Sequence, residues 1–219
     1  MRGWTSRNTS EAMAFNPTPK QLTAIKVVLF MLALVPFARL FYLTATGAFV
    51  EPVEAVTRGT GDWVLYFLCI TLAVTPLRRL TGWNWLVRLR RMLGLFAFFY
   101  AFLHFLMFFW GDHGFDVPAM IKDVVKRPFI TVGFAAFVLL IPLALTSTNG
   151  MIKRLGGKRW QWLHRLIYLI APLGILHFWW MKAGKNNFAE PIIFGLIVVV
   201  LLGLRLYWNR SKAVAPARV

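Results

Sequence analysis

The stretch WLHRLIYLIAPLGILHFWW, Trp162–Trp180, decides the fold class of this 219-residue chain. It is apolar and close to the roughly 20 residues that a helix needs to cross the hydrocarbon core of a bilayer. It also holds His164 near one end and His177 near the other. Because a polar side chain at membrane depth must find a partner, the stretch predicts a membrane span that carries a functional site.

The rest of the chain has the same character. Hydrophobic residues make up 58% and aromatic residues 16% of the sequence, and the mean hydropathy is +0.62. These values are typical of a membrane protein. We therefore predict an all-α integral membrane protein with six transmembrane helices. The predicted spans are Leu22–Leu43, Trp63–Leu80, Met92–Trp110, Phe129–Thr148, Trp162–Met181 and Pro191–Trp208.

The charges of the loops predict the orientation of the spans. Arg78–Arg91 holds five arginines and no acid, and the connection between spans four and five is also basic. Basic loops stay on the cytoplasmic side, so both termini are predicted to be cytoplasmic. The predicted domains are residues 1–21 as an N-terminal tail, 22–208 as the six-helix domain and 209–219 as a C-terminal tail. The outer loops, a predicted docking surface, are then Thr44–Asp62, Gly111–Pro128 and Lys182–Glu190.

Several function classes are disfavoured by the sequence. The net charge of +17 lies in short clusters between apolar runs, which does not indicate nucleic-acid binding. The single cysteine, Cys69, excludes an internal disulfide and a cysteine-ligated cluster. There is no promising nucleotide-binding loop. No loop exceeds about 20 residues, too few for a separate catalytic domain.

Two histidines are predicted to face each other within the membrane. Spans three and five run in the same direction, which places His104 and His177 at similar depth near the outer end. Two imidazoles across a gap between helices can bind a low-spin haem iron from both sides. Such a haem would carry electrons, because no position is open for a substrate. The alternative is that each histidine only bonds a neighbouring helix, and His113, in GDHGFD, is predicted to be solvated.

His164 predicts a second, inner site. It lies 13 residues before His177, or roughly 20 Å along a helix, although an ideal helix would turn the two side chains about 140° apart. Pro172 permits a kink that reduces this mismatch. The matching positions on span three are Arg90 and Arg91, which cannot ligate iron but pair well with propionates or a flavin phosphate. With Arg165, they predict either a haem with one protein ligand or a flavin.

With histidines and arginines at these positions, the chain resembles the ferric-reductase-like transmembrane superfamily. Within that superfamily, it resembles the MsrQ (YedZ) family of haem-binding membrane subunits. The most specific parts are LALTSTNGMIKRLGGKRWQWLHRLIYL, Leu143–Leu169, and RRMLGLFAFFYAFLH, Arg90–His104. The resemblance implies haem b (one or two), with FMN possible. It also implies that His104, His164 and His177 are haem iron ligands.

The resemblance further implies a role in protein repair. The chain would be a non-catalytic subunit in the bacterial inner membrane that passes electrons to a periplasmic molybdopterin methionine sulfoxide reductase. Quinol or a cytosolic flavin reductase would be the donor. Two other functions stay open: a ferric-reductase-like carrier with another acceptor, and a cofactor-free transporter with histidines in a proton path. Transporters usually carry carboxylates at mid-membrane, whereas Glu190 is the only acid that touches a predicted span, and it lies at an end.

Overall fold

The computed structural model describes residues 15–184 and 186–214. Most of the predicted N-terminal tail, Lys185 and the end of the predicted C-terminal tail lie outside these residues. All regular structure in the described part is helical, and the elements follow the chain as α1 to α9. They are α1 Pro19–Ala45, α2 Pro52–Thr81, α3 Arg90–Leu106, α4 Val117–Lys126, α5 Pro128–Leu145, α6 Asn149–Leu155, α7 Gly157–Leu163, α8 Ile167–Ala183 and α9 Ala189–Val214.

Within the described residues, six helical segments are long and apolar enough to cross a membrane, which confirms the predicted six-helix membrane fold. They are Pro19–Ala45, Pro52–Thr81, Arg90–Asp112, Pro128–Leu145, Gly157–Ala183 and Ala189–Trp208. The third continues from α3 through a π-helical turn, Met107–Asp112. The chain is therefore a multi-pass membrane protein. Its orientation in the membrane stays a prediction.

The centre of the molecule is a bundle of four helices. α2 packs along α3, and α5 packs along α8, while contacts from α3 to α5 and from α2 to α8 join the two pairs. α1 lies against α2, and α9 lies against α2 and α8. Fully buried side chains at the centre include Leu72, Tyr100 and Ile170. We call the end with the connections 82–89 and 146–166 the basic end, and the other end the acidic end.

The proline inside α1 is compensated by a polar side chain from another helix. A proline has no N–H, so it breaks the helical hydrogen-bond ladder and allows a kink. Beside Pro36 in α1, the Tyr100 hydroxyl accepts from Phe37 N–H at 3.2 Å and donates to the Ala33 carbonyl at 2.7 Å. The buried tyrosine thereby ties α1 to α3.

The predicted boundaries need correction at the acidic end. α2 begins at Pro52 and not at Trp63, because a helix can extend beyond the hydrocarbon when its first turns are polar. In this extension Glu54 and Arg58 form an i,i+4 ion pair. The predicted outer loop 111–128 contains α4, which Asp116 caps by accepting from Ala119 N–H at 2.9 Å. Both segments were predicted as loops, and that prediction was wrong.

Span five is also less regular than predicted. α7 ends at Leu163, a 3₁₀ turn covers His164–Leu166, and α8 begins at Ile167. The change of helix type therefore occurs at His164 itself, whereas the kink was predicted at Pro172. The angular mismatch calculated for an ideal helix does not apply to this segment, because a 3₁₀ turn winds more tightly.

Candidate functional site

The structure brings His104 and His177 together near the acidic end of the bundle. His104 lies in the last turn of α3, and His177 lies on α8. Their ring centres are 6.1 Å apart, and the ring planes make an angle of 81°. Both side chains are half-buried. The two imidazoles thus lie close together between helices. This position agrees with the prediction that the two histidines lie at similar depth on spans that run in the same direction.

Each imidazole is oriented by a backbone carbonyl of the helix packed against its own. His104 Nδ1 lies 2.8 Å from the Thr57 carbonyl oxygen on α2, and His177 Nδ1 lies 2.6 Å from the Phe129 carbonyl oxygen on α5. A carbonyl oxygen only accepts, so in both rings Nδ1 carries the proton and donates. The lone pair then remains on Nε2, the tautomer of a metal ligand whose other nitrogen is held by the protein.

A glycine lies four residues after each accepting carbonyl. A Cβ added at Gly61 would lie 3.1 Å from His104 Cε1, and one at Gly133 would lie 2.6 Å from His177 Nδ1. In a helix, residues i and i+4 lie on the same face. A side chain at i+4 would therefore fill the space through which the imidazole reaches the carbonyl at i. These two glycines belong to the site, although the sequence analysis did not identify them.

The geometry of the pair fits a haem iron between the rings. Two metal–nitrogen bonds of roughly 2 Å, together with two ring radii of about 1 Å, span about 6 Å. The measured separation of the ring centres is 6.1 Å. Beside the pair, Thr57 Oγ1 is buried with no hydrogen-bond partner in the described part of the chain.

His164 lies in a separate cluster towards the basic end. The Thr146 hydroxyl donates to the Pro142 carbonyl at 2.6 Å, so its oxygen accepts from His164 Nε2–H at 3.1 Å. The Trp160 ring stacks on the imidazole with centres 3.9 Å apart, and Trp160 Nε1–H donates to the Thr146 carbonyl at 2.9 Å. In this state the lone pair of His164 is on Nδ1, whereas those of His104 and His177 are on Nε2.

The three predicted arginines differ in their relation to His164. Arg90 interacts electrostatically with it. Arg91 instead donates to Asn149 Oδ1 on α6 at 2.5 Å. Arg165 is exposed and lines a surface groove beside Trp162.

The sequence is similar to those of known membrane proteins. Residues 59–175 match the model of the ferric reductase like transmembrane component family. A relative from Herminiimonas arsenicoxydans, named "Protein-methionine-sulfoxide reductase heme-binding subunit MsrQ", is 71% identical over 91% of this chain and 92% of its own length. Relatives with the same name from Ralstonia nicotianae and Bordetella pertussis are 62% and 55% identical, over 92% and 90% of this chain and 95% and 96% of their own lengths.

The chain belongs to the MsrQ family of ferric reductase-like transmembrane proteins. The segment that matches the ferric reductase-like family model contains α2 from residue 59 onwards and all of α5, and therefore Gly61 and Gly133, together with His104 and His164. It ends two residues before His177.

His113 is not solvated, which corrects the prediction for this member of the MsrQ family. Its side chain is 10% exposed, and Nε2 lies 3.4 Å from an Asp123 carboxylate oxygen. Nδ1 lies 2.9 Å from the Phe108 carbonyl oxygen. The turn after the π-helical segment, with Gly114 and Phe115 at positive φ, folds the imidazole back onto Phe108. His113 thus helps to hold α4 to the end of the third span.

Proposed function

We propose that the chain is the haem b-binding membrane electron-transfer subunit of a periplasmic methionine sulfoxide reductase system. The observation that carries the proposal is the His104–His177 pair, with ring centres 6.1 Å apart and both Nδ1 atoms bonded to backbone carbonyls. The names of the relatives support it, because they describe heme-binding subunits of a protein-methionine-sulfoxide reductase.

In this proposal, His104 and His177 would together hold the iron of one haem. The carbonyls of Thr57 and Phe129 hold the rings in position and make Nε2 a stronger donor. A haem held in this way would supply reversible one-electron transfer. The chain's own task is to hold the haem firmly at a defined depth, and it needs no catalytic residue.

His164 and Arg90 would form the core of a second cofactor site at the basic end. A haem with one protein ligand and an FMN are the two candidates, with quinol or a cytosolic flavin reductase as donor. Arg90 would compensate a propionate or phosphate charge, and Arg91 and Arg165 would do so after turning from their present positions. Ligation through His164 Nε2 would require the bond to the Thr146 hydroxyl to break.

Electrons would run from the basic, cytoplasmic end to the acidic, periplasmic end of the inner-membrane subunit. The His104–His177 pair lies close to the acidic end, since Phe129 is the second residue of α5 and Thr57 lies in the second turn of α2. The connections between spans at that end, together with α4, would receive the molybdopterin reductase that repairs oxidised proteins. Electron-transfer complexes are often small and transient, so a tight interface is not required.

Reconstituted vesicles test this proposal. The purified chain is inserted into vesicles that enclose a reductant system, and a periplasmic-type methionine sulfoxide reductase is added outside. Reduction of methionine sulfoxide should depend on the chain and be lost with His104→Ala, while Gly203→Ala, whose added Cβ would have nothing within 4 Å, should retain it. Normal haem reduction without transfer to this reductase would leave an electron carrier with another acceptor and contradict the methionine-repair assignment.

A further inference from the structure

A small cavity lies between α2, α8 and α9 at the basic end of the bundle. It has a volume of about 60 Å³, and its walls are formed by Thr75, Arg79, Tyr168, Arg205 and Trp208. It is distinct from the His104–His177 pair, which lies at the acidic end. All five of its wall residues have side chains that can donate hydrogen bonds, which is unusual for a space between membrane-spanning helices.

Arg205 is the most constrained of these residues. It lies within the last apolar span, yet only 7% of its surface is exposed. One Nη atom donates to the Tyr168 hydroxyl at 2.8 Å, and the other donates to the Leu72 carbonyl at 2.6 Å. Leu72 lies four residues before Pro76, which has no N–H, so the proline leaves this carbonyl free to accept from the guanidinium.

These two bonds do not satisfy the whole guanidinium. Arg205 Nε is buried with no hydrogen-bond partner among the described residues. Tyr168 accepts from Arg205, so its own hydroxyl proton is available to a further acceptor. The bond to the Leu72 carbonyl therefore explains part of the position of Arg205, but it does not explain the unpaired Nε–H or the buried charge.

The cavity also has no counter-charge within the described part of the chain. The ion pairs in residues 15–184 and 186–214 that involve acids lie at the acidic end, through Glu54, Asp123 and Glu190. Arg79 lies over the Trp208 ring at 4.9 Å, and Arg205 lies over the Tyr168 ring at 5.2 Å. Arg90 adds positive potential at Arg205. A buried guanidinium in membrane without an anion is costly, since ring faces offset only part of its charge.

We propose that this cavity binds the phosphate group of an anionic ligand, either a phospholipid headgroup or a soluble phosphate. Guanidinium groups bind phosphate oxygens through directed, charge-assisted hydrogen bonds. The Arg79 and Arg205 guanidiniums and the Tyr168 hydroxyl line the cavity and supply donors, and the volume suits a compact oxyanion. Basic pockets between membrane helices on the cytoplasmic side are a known setting for anionic headgroups. The proposal does not depend on the haem assignment.

Arg79→Gln provides the most direct variant. It removes one charged wall residue and leaves both structural bonds of Arg205 in place. Arg78→Gln is the matched control, because Arg78 is the neighbouring arginine in the same helical turn and does not line the cavity. A second variant, Arg205→Lys, retains the charge but loses the fork of donors. Melting of each variant without a probe establishes that it is folded.

The binding experiment uses the full chain, purified in detergent and stripped of lipid, with two probes measured by calorimetric titration. Inorganic phosphate represents a soluble source, and dihexanoyl phosphatidylglycerol below its micelle concentration represents a headgroup. We expect saturable binding of at least one probe, weakened by about tenfold or more in Arg79→Gln and in Arg205→Lys, as for loss of a charge-assisted hydrogen bond. Arg78→Gln should bind like the unaltered chain.

The choice of probe identifies the source of the phosphate. Binding of phosphatidylglycerol alone assigns the cavity to a lipid headgroup, and binding of inorganic phosphate assigns it to a soluble phosphate group. Failure of both probes to bind saturably overturns the proposal. Equal affinities in Arg79→Gln and Arg78→Gln overturn it as well, and Arg205 would then serve only to satisfy the Leu72 carbonyl and to anchor α9.

Discussion

At the scale of single residues, three groups define each half of the histidine pair. They are the imidazole, a carbonyl on the neighbouring helix, and the glycine four residues after that carbonyl. The combinations are His104 with Thr57 and Gly61, and His177 with Phe129 and Gly133. The repeat of the same arrangement in both halves indicates that each glycine is present to admit its imidazole.

Substitution of the glycines should perturb the site in a graded manner. In Gly133→Ala the new Cβ would lie 2.6 Å from His177 Nδ1, so the ring must move; in Gly61→Ala the closest approach is 3.1 Å, a smaller conflict. Overpacking of this kind typically costs about 1–3 kcal/mol. We expect the haem content of the purified protein to fall most in Gly133→Ala and less in Gly61→Ala. Gly203→Ala, whose Cβ would have nothing within 4 Å, should retain it. Equal haem content in all three would contradict this role.

The sequence could predict the histidines of the site but not the residues that hold them. His104 and His177 could be matched because membrane depth follows directly from position along a span. The carbonyls and glycines depend on which helices pair and at what rotation, and hydropathy carries no information on either. His113 was misjudged for a related reason: a turn in GDHGFD looks exposed in sequence, but it folds onto Phe108 and Asp123.

At the scale of helices, Tyr100 should stabilise the kinked α1. Tyr100→Phe removes the hydroxyl that donates to the Ala33 carbonyl and accepts from Phe37 N–H. The loss should lower the free energy of unfolding by about 1–3 kcal/mol, the usual cost of unsatisfied buried polar groups. Melting followed by tryptophan fluorescence would measure it. Tyr42→Phe, an exposed position on α1, is the control. Tyr100→Phe should bind haem normally, and an unchanged melting temperature would show that the bridge adds no stability.

The existence of the spans was predictable, whereas their ends were not. A run of about 20 apolar residues is a strong signal, since the bilayer sets the length. Beyond the hydrocarbon, a helix can continue with polar residues, as α2 does from Pro52 to Asp62. α4 was missed because its apolar residues are spaced along one face, at Val117, Ile121 and Val125, and do not form a run.

At the scale of the whole molecule, the separation of charge predicts the orientation. Labelling with a membrane-impermeant maleimide can test it in a Cys69→Ala background. Val50→Cys lies at the acidic end, where the residue is 97% exposed, and Gly150→Cys lies at the basic end with open space around it. Val50→Cys should react in intact spheroplasts, and Gly150→Cys only after the membrane is permeabilised. The reverse pattern would place the basic end outside and contradict the proposed direction of electron flow.

The most direct test of the central claim is the difference spectrum, dithionite-reduced minus oxidised, of the detergent-purified chain and of its His177→Ala variant. The unaltered chain should show a low-spin b-type haem. His177→Ala should lose the haem of the pair, because His104 alone would not hold it. The loss would be all haem if one is bound and about half if two are bound. His113→Ala, treated in the same way, should keep the full spectrum. A colourless unaltered protein, or full haem content and an unchanged low-spin spectrum in His177→Ala, would contradict the account.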